Sequence, residues 1–278
     1  MEKIKAKKRF GQNFLKDEIT LNKIIQAIPK INCKIVEIGP GLGDLTFWLL
    51  RSRYSVISYE IDDELIPILS KKFYKEAKDG QFKLIHKDAN AVWLQNGSLC
   101  DEPYILVANL PYYVATKMVL SALQDERCSA IVAMTQKEVA VKFTCDGKNS
   151  EFSALGVLAN ANAVSNLLFD VAPSCFEPAP KVTSAVFRTV KNGRKLFGNQ
   201  GLFEDLCDYK NFKLYLKACF SAPRKMLIKN LSDKYGKGMS EEIFSELGIS
   251  PSVRPHESNV ALYLKIYNLI KVKNEREQ

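Results

Sequence analysis

The sequence comprises 278 residues with a formal net charge of +9, and its hydrophobic fraction of 46% excludes an intrinsically disordered chain. No apolar stretch approaches the roughly 20 residues that cross a bilayer, so we expect no membrane association. Seven cysteines without a Cys-x-x-Cys pair predict reduced thiols in a cytoplasmic protein, and the presence of only two histidines, His86 and His256, predicts no metal site.

Short apolar runs alternate with helical patterns through the first part of the chain. The runs that predict strands cover residues 34–38, 55–59, 82–86, 104–108 and 130–134. Strands that alternate with helices in this way are typical of a doubly wound parallel sheet. Two later runs, 164–171 and 183–190, are separated by prolines and predict an antiparallel pair that completes the sheet.

A polar stretch that contains glycines, residues 191–201, predicts a linker. Beyond it the apolar spacing predicts only helices, over residues 203–220, 225–235, 241–247 and 260–272. We therefore predict a Rossmann-like α/β domain over residues 1–192, which includes a basic N-terminal arm, and a small all-α domain over residues 200–278.

A glycine loop follows the first predicted strand. Gly39, Gly41 and Gly43 would let a ligand approach the backbone closely. The third glycine comes one residue too early for the Gly-x-Gly-x-x-Gly pattern of dinucleotide-binding proteins. The loop by itself therefore indicates a ligand site only weakly.

Two acidic residues stand at the ends of the next two strands. Glu60 could accept hydrogen bonds from both hydroxyls of a ribose, and Asp88 could accept one from an adenine amino group. Ile61 and Ala89 follow these acids and complete the predicted cofactor contacts. Either acid alone could instead serve a helix cap or a turn. Together with the glycine loop they fit one adenosine-bearing ligand, for which S-adenosylmethionine suits the short loop and NAD is the alternative.

The fourth strand is followed by the most informative segment of the chain, Asn109-Leu110-Pro111-Tyr112-Tyr113. A polar amide, a rigid proline and an aromatic ring then lie at the edge where α/β sheets bind ligands. These groups can hydrogen-bond an exocyclic amine while they stack on its ring. An ordinary turn between a strand and a helix is the alternative, because asparagine and proline are common in turns.

With these residues the sequence resembles the ribosomal RNA adenine N6-dimethyltransferase family, and in particular its small-subunit enzymes. The resemblance covers nearly the whole chain. Besides Asn109-Leu110-Pro111-Tyr112, it rests on five motifs in order, namely Lys8-Arg9-Phe10-Gly11-Gln12-Asn13-Phe14-Leu15, Glu37-Ile38-Gly39-Pro40-Gly41-Leu42-Gly43, Gln136-Lys137-Glu138-Val139, Phe176-x-Pro178-x-Pro180-Lys181-Val182-x-Ser184-Ala185-Val186 and, more loosely, Arg224-Lys225 to Asn230-Leu231.

The resemblance implies an enzyme with S-adenosylmethionine as methyl donor. It implies that Asn13 and Leu15 close over the cofactor and that the contacts to it come from Gly39, Glu60, Asp88 and Asn109. The sequence departs from the family pattern at Ala108, Tyr113 and Pro223. The first two departures could narrow the mouth of the pocket, and the third weakens the case for RNA contact by the helix that follows.

The reaction that the resemblance implies is dimethylation of N6 on two adjacent adenosines in the 3′-terminal hairpin loop of 16S rRNA. We hypothesise that the Asn109 side-chain oxygen and the Leu110 carbonyl, held by Pro111, accept the two N6 hydrogens. Tyr112 would stack on the flipped adenine. Phe176 would cover its other face or, equally, anchor the proline loop in the core.

The positive charge is concentrated at the two ends of the chain. Residues 181–278 carry 18 basic and 10 acidic residues, whereas residues 1–180 carry 22 and 21. This pattern predicts a polyanion partner, with solubilising surface charge as the alternative. The candidate RNA contacts are basic residues of both ends, namely Lys7, Lys8, Arg9, Lys217, Arg224 and Lys225.

The sequence leaves three alternatives to small-subunit RNA methylation. One is dimethylation of 23S rRNA that confers macrolide resistance, and another is a non-catalytic RNA-binding factor in ribosome assembly. A nicotinamide-dependent dehydrogenase is the third, which the absence of a histidine suited to proton transfer disfavours. We expect the protein to act on the small ribosomal subunit as a monomer.

Overall fold

The computed structural model describes Lys7 and residues 11–276. Its strands are β1 (Phe14–Leu15), β2 (Lys34–Ile38), β3 (Val56–Glu60), β4 (Phe82–His86), β5 (Tyr104–Asn109), β6 (Cys128–Gln136), β7 (Ala163–Val171), β8 (Phe176–Glu177) and β9 (Ser184–Lys191). Its helices are α1 (Glu18–Ala27), α2 (Asp44–Arg51), α3 (Leu65–Lys72), α4 (Tyr74–Lys78), α5 (Ala89–Asn96), α6 (Tyr112–Gln124), α7 (Lys137–Thr144), α8 (Ala154–Asn160), α9 (Leu206–Cys219), α10 (Leu227–Tyr235), α11 (Lys237–Glu246) and α12 (Val260–Arg276).

The main sheet has seven strands in the order β4-β3-β2-β5-β6-β9-β7. The pairs β2·β3, β2·β5, β3·β4 and β5·β6 are parallel, whereas β9 runs antiparallel to β6. Residues Tyr104 to Val107 of the central strand β5 are fully buried. This is why their sequence is a continuous apolar run, because helices cover both faces of a parallel sheet. The predicted mostly parallel sheet with an antiparallel strand near its C-terminal end is confirmed.

A second sheet of two short strands was not predicted. Strand β1 pairs antiparallel with β8, with Leu15 opposite Phe176. Each strand has two residues, too few for an alternating pattern to show in the sequence. This pairing ties the segment before α1 to the proline-containing segment before β9.

The chain forms two compact units. The first contains the described part of Met1–Ala140 together with Asn166–Lys191, and the second contains Val141–Ser165 with the described part of Asn192–Gln278. The division expected from the sequence, at residues 192–200, does not include the transfer of Val141–Ser165 to the second unit. The composition of residues 141–165 shows no clear change from that of the segments before and after it, so the sequence did not mark a boundary there.

Candidate functional site

A cavity of about 300 Å³ lies in the first unit, at the carboxyl ends of the central parallel strands. This is the edge at which open α/β sheets bind ligands. The residues that line it are drawn from the segments 11–15, 37–45, 59–61, 87–90 and 109–118. The ends of β2, β3 and β5, the turn after β4 and the N-terminal segment therefore meet at one place.

Glu60 is the last residue of β3, and only 4% of it is exposed. Its Oε1 accepts the backbone N–H groups of Ile61 and Asp62, each at 2.9 Å, and its Oε2 accepts that of Gly41 at 3.3 Å. Burial raises the pKa of this carboxyl above its ordinary value, although these three hydrogen bonds act in the opposite direction. The carboxylate is thus fixed in the cavity wall with acceptor capacity remaining on Oε2.

Asp88 is the N-cap residue of α5, which is the structural alternative that the sequence offered for it. Its Oδ1 accepts the backbone N–H of Asn90 at 2.8 Å and the Asn90 side-chain N–H at 3.3 Å. Within the described chain no partner is recorded for its Oδ2. Asp88 and Ala89 line the cavity, as does the half-exposed Ile61. The capping alternative and a ligand contact are therefore compatible, because they use different oxygens.

The three glycines of the loop do not share one role. Gly39 and Gly41 line the cavity, but Gly43 does not. Gly39 has φ +66°, and a Cβ placed on it would meet no heavy atom within 4 Å. Gly43 has φ +77°, and a Cβ there would lie 2.6 Å from the Phe73 ring. The space that a Gly43 side chain would need is filled by Phe73 and Leu69 of the core, so its lack of a side chain serves packing. A cofactor contact by Gly43 stays a prediction.

We expect Gly43→Ala to destabilise the fold by about 3 kcal/mol or more, since an overpacked ring contact adds to the strain of a positive φ. Gly80 is a matched control, because it has φ +76° and no heavy atom within 4 Å of its Cβ position. Gly80→Ala should cost only about 1 kcal/mol, the backbone share of the effect. Urea unfolding of both variants measures the difference, and equal losses would refute the packing role.

Asn109 ends β5 and lines the cavity. Its Nδ2 donates to the backbone carbonyl of Asn13 at 3.0 Å, which leaves Oδ1 as the acceptor end of the amide. The next residue is fixed as well, because the Leu110 N–H donates to the carbonyl of Met134 at 3.0 Å. Asn13, predicted to close over the cofactor, thereby orients the residue predicted to hold the target amine.

Tyr112 begins α6 and lines the cavity beside Pro111. Its hydroxyl is hydrogen-bonded to the buried Ser184 hydroxyl at 2.7 Å, which fixes the ring plane. Burial raises the pKa of the Tyr112 hydroxyl. Tyr113 also lines the cavity and is 66% exposed. One aromatic ring is therefore fixed inside the cavity and another stands at its rim.

Phe176 is not among the residues that line the cavity. It is 6% exposed, pairs with Leu15 through β1 and β8, and belongs to the hydrophobic core. The structure thus places Phe176 where the anchoring alternative puts it. Stacking of Phe176 on the adenine stays a prediction. Leu15 likewise packs in the core while it borders the cavity.

Three polar residues of the site were not singled out from the sequence. Gln12 and Glu37 line the cavity, and Asp62 holds the segment that contains Gln12 through a 2.8 Å hydrogen bond from Gln12 Nε2 to Asp62 Oδ2. Glu37 is almost fully buried, and its Oε2 accepts the hydroxyls of Thr46 at 2.7 Å and Ser58 at 2.6 Å. An acidic residue inside a hydrophobic strand was the available signal for Glu37.

The predicted RNA contacts have different surroundings. Lys7 lies against Asp62 at 2.6 Å and Glu64 at 2.9 Å, while Lys8 and Arg9 fall outside the described residues. Lys217, Arg224 and Lys225 belong to the second unit and are exposed. For these three cations the described chain offers no recorded ion pair. They remain available to a solvent-borne anion.

Over the described residues, no three or more histidine, cysteine, aspartate or glutamate side chains are grouped so as to hold a metal ion. No helix in that part of the chain is long and apolar enough to cross a bilayer.

Comparison with solved structures supports the fold. The chain superimposes on a dimethyladenosine transferase from Plasmodium falciparum with a TM-score of 0.75 at 21% identity, covering 94% of this chain and 98% of that one. It superimposes on the 23S rRNA methyltransferase ErmE with a TM-score of 0.69 at 23% identity, covering 93% and 100%. At these identities the likeness shows the fold alone.

Sequence comparison identifies closer relatives. A protein of Campylobacter curvus named Ribosomal RNA small subunit methyltransferase A is 54% identical over 275 residues, which cover 99% of this chain and 95% of that protein. A protein of the same name from Aliarcobacter butzleri is 46% identical over the full length of both chains. Residues 3–272 match the family described as Ribosomal RNA adenine dimethylase. By its sequence, its fold and its full-length relatives, the chain belongs to the ribosomal RNA adenine dimethylase family.

Proposed function

We propose that this protein transfers methyl groups from S-adenosylmethionine to N6 of two adjacent adenosines in the 3′-terminal hairpin loop of 16S rRNA. The observation that carries the proposal is the Asn109 amide, which is held by the Asn13 carbonyl in a cavity that also presents Glu60 and Asp88. The names of the full-length relatives favour the small subunit over 23S rRNA. The protein would act in the cytoplasm, where ribosomal subunits are assembled.

The cavity fits a cationic ligand that carries adenosine. Oε1 of Glu37 is buried and has no hydrogen-bond partner in the described structure, and the same is true of Oδ1 of Asn90. Both residues line the cavity. The space beside Gly39, where a Cβ would meet nothing, leaves room for a ligand against the backbone. Buried polar atoms of this kind are commonly satisfied by a ligand or by water.

We assign the cofactor contacts by the acceptors that remain available. Glu60 would accept from ribose hydroxyls, Asp88 from the adenine amino group, and Gly39 would border the methionine portion. When bound, S-adenosylmethionine supplies an electrophilic methyl group on a sulfonium. A neutral glycine backbone and carboxylate acceptors suit such a cation, whereas a pyrophosphate would require several donors in this loop.

The protein's contribution to catalysis is orientation of the target amine. N6 of adenosine is a poor nucleophile because its lone pair is delocalised into the ring. If Asn109 Oδ1 and the Leu110 carbonyl accept its two hydrogens, the nitrogen becomes more pyramidal and its lone pair points to the methyl donor. No strong base is needed, since the proton can leave after nitrogen has become cationic.

Tyr112 would hold the adenine by stacking. Its ring cannot rotate freely, because its hydroxyl is hydrogen-bonded to Ser184. Tyr112 is also the first residue of α6, which Pro111 connects to the end of β5. Stacking on one aromatic ring returns roughly 1–3 kcal/mol per base, which offsets part of the few kcal/mol that flipping costs.

Binding of RNA would depend on the exposed cations of the second unit. We expect neutralisation of Lys217, Arg224 and Lys225 by glutamine to weaken RNA binding and to reduce the slope of log affinity against log salt by roughly 0.7–0.9 per lost phosphate contact. Three exposed lysines of α3 and α4, Lys71, Lys75 and Lys78, provide a matched control of equal charge change. An equal reduction in slope for the control variant would show that the effect is general and not local.

The proposal is tested by offering labelled S-adenosylmethionine to small subunits that lack these methyl groups and, separately, to 23S rRNA. Label in the small subunit alone is expected. Label in 23S rRNA alone would favour the macrolide-resistance alternative. Cofactor binding without transfer to either acceptor would favour a binding factor and would contradict the proposed activity.

A further inference from the structure

Asp62 follows Glu60 of the candidate cofactor site by two residues, and its side chain is only 2% exposed. It contacts the N-terminal segment, by which we mean Lys7 and residues 11–15. Each of its two oxygens receives a donor from that segment. Lys7 Nζ lies 2.6 Å from Oδ1, and Gln12 Nε2 lies 2.8 Å from Oδ2. The segment also has an internal hydrogen bond, which the Lys7 backbone N–H donates to Gln12 Oε1 at 2.8 Å.

Asp62 is the buried member of three acids that face Lys7. Asp63 is 3.9 Å from Lys7 Nζ with a side chain 75% exposed, and Glu64 is 2.9 Å away and 65% exposed. An exposed ion pair contributes little, whereas a buried carboxylate that loses its partner is costly. Burial would raise the pKa of Asp62, but the hydrogen bonds from Lys7 and Gln12 outweigh it and hold the pKa below its ordinary value.

Asp62 is connected to both halves of the site. Its own backbone N–H donates to Glu60 Oε1 at 2.9 Å. On the other side, Gln12 is followed by Asn13, whose carbonyl accepts the hydrogen bond that orients Asn109. The residues between these contacts, Gly11 to Leu15, line the cavity. Asp62 therefore connects the end of β3 on one side of the cavity to residues 11–15, the N-terminal wall, on the other.

We propose that Asp62 is a positioning residue that binds Lys7 and Gln12 and thereby closes the N-terminal wall over the bound cofactor. The proposal rests on the proposed function for the identity of that cofactor. Asp62 itself would touch neither the N6 nitrogen of the adenine nor the methyl group of the cofactor. Its effect passes through the wall to Glu60 and Asn109, so it should change cofactor retention and the accessibility of the N-terminal segment together.

The test compares Asp62→Asn with Asp63→Asn, which makes the same change on the exposed neighbour. Calorimetry measures the affinity for S-adenosylmethionine, and mass spectrometry follows trypsin cleavage after Lys7 with and without the cofactor. We expect Asp62→Asn to weaken cofactor binding roughly tenfold and to abolish cofactor protection of the Lys7 site, whereas Asp63→Asn changes affinity less than about twofold.

A double-mutant cycle separates the contact from general loss of structure. Lys7→Met should weaken binding on its own, and adding it to Asp62→Asn should cause little further loss, since both remove the same interaction. Lys7→Met also keeps the test available if Asp62→Asn does not fold. Additive losses, or unchanged affinity and cleavage in Asp62→Asn, would overturn the proposal.

The cleavage measurement distinguishes this inference from the proposed function. If the unmodified protein does not bind S-adenosylmethionine, the proposed function fails. In that case, faster cleavage of ligand-free Asp62→Asn than of ligand-free Asp63→Asn would still support the anchoring contact. Equal cleavage rates of the two ligand-free variants would refute it.

Discussion

Replacement of Asn109 by alanine is expected to lower the kcat of methyl transfer by about 10²–10³-fold while cofactor affinity stays within about threefold. The amide oxygen acts on the target amine, whose charge changes as the bond forms, so its loss should appear in kcat. The lost Nδ2 contact to Asn13 removes one of several attachments of the N-terminal wall, which is also held by β1 and Asp62. Cofactor binding should therefore change little.

Single-turnover methylation with saturating RNA measures the chemical step, and calorimetry measures cofactor affinity. Asn96→Ala is a matched control, because Asn96 is exposed at the end of α5 and lies outside the cavity lining. Both variants should retain the unfolding temperature of the unmodified protein within a few degrees. Turnover by Asn109→Ala at the normal rate would show that the amide does not orient the amine.

Replacement of Glu37 by glutamine is expected to change how stability depends on pH. Burial raises the pKa of Glu37 from 4.5 to about 7, although hydrogen bonds from Ser58 and Thr46 oppose the shift. Because the folded pKa is above the unfolded one, the unfolded chain releases this proton first. The stability that Glu37 contributes is full below pH 4.5 and is lost as pH rises through 7.

The stability of the unmodified protein relative to Glu37→Gln should therefore fall by about 3 kcal/mol across this window. Urea unfolding at pH 5, 6, 7 and 8 without added cofactor gives the difference directly. The glutamine places an amide in a cavity-facing position, so its absolute stability carries less information than the slope. A difference that is constant with pH would contradict ionisation of a buried Glu37.

The sequence predicted those parts of the site that follow from the direction of parallel strands. Glu60 and Asn109 end strands whose apolar runs are unmistakable, and Asp88 begins the turn after a third. Parallel strands place their carboxyl ends at one edge, so residues distant in sequence could be assigned to one cavity. The structure brings all three to the lining of that cavity.

The sequence says less about residues whose role depends on what packs against them. Gly43 and Gly39 both have a positive φ, and they differ in that only Gly43 has the Phe73 ring against its Cβ position. The sequence allowed Phe176 to face the cavity or the core, and the structure shows it packed in the core beside Leu15. No local pattern carries this information, because each contact joins residues that are distant along the chain, Gly43 with Phe73 and Leu15 with Phe176.

Asp62 and Gln12 could not be paired from the sequence for a related reason. Three consecutive acids, Asp62, Asp63 and Glu64, look alike along the chain. Only burial distinguishes the first, since its side chain is 2% exposed and the others are 75% and 65% exposed. The role that we propose for Asp62 therefore depends on its burial and its contacts more than on its position in the sequence.

In the proposed function, Asn109 and Leu110 present an adenine N6 nitrogen to the methyl donor twice. The most direct test is mass spectrometry of nucleosides from small-subunit RNA after reaction with labelled S-adenosylmethionine. Label recovered as N6,N6-dimethyladenosine is the result that this account predicts. Label recovered on a ring carbon, on a ring nitrogen or on another base would contradict it.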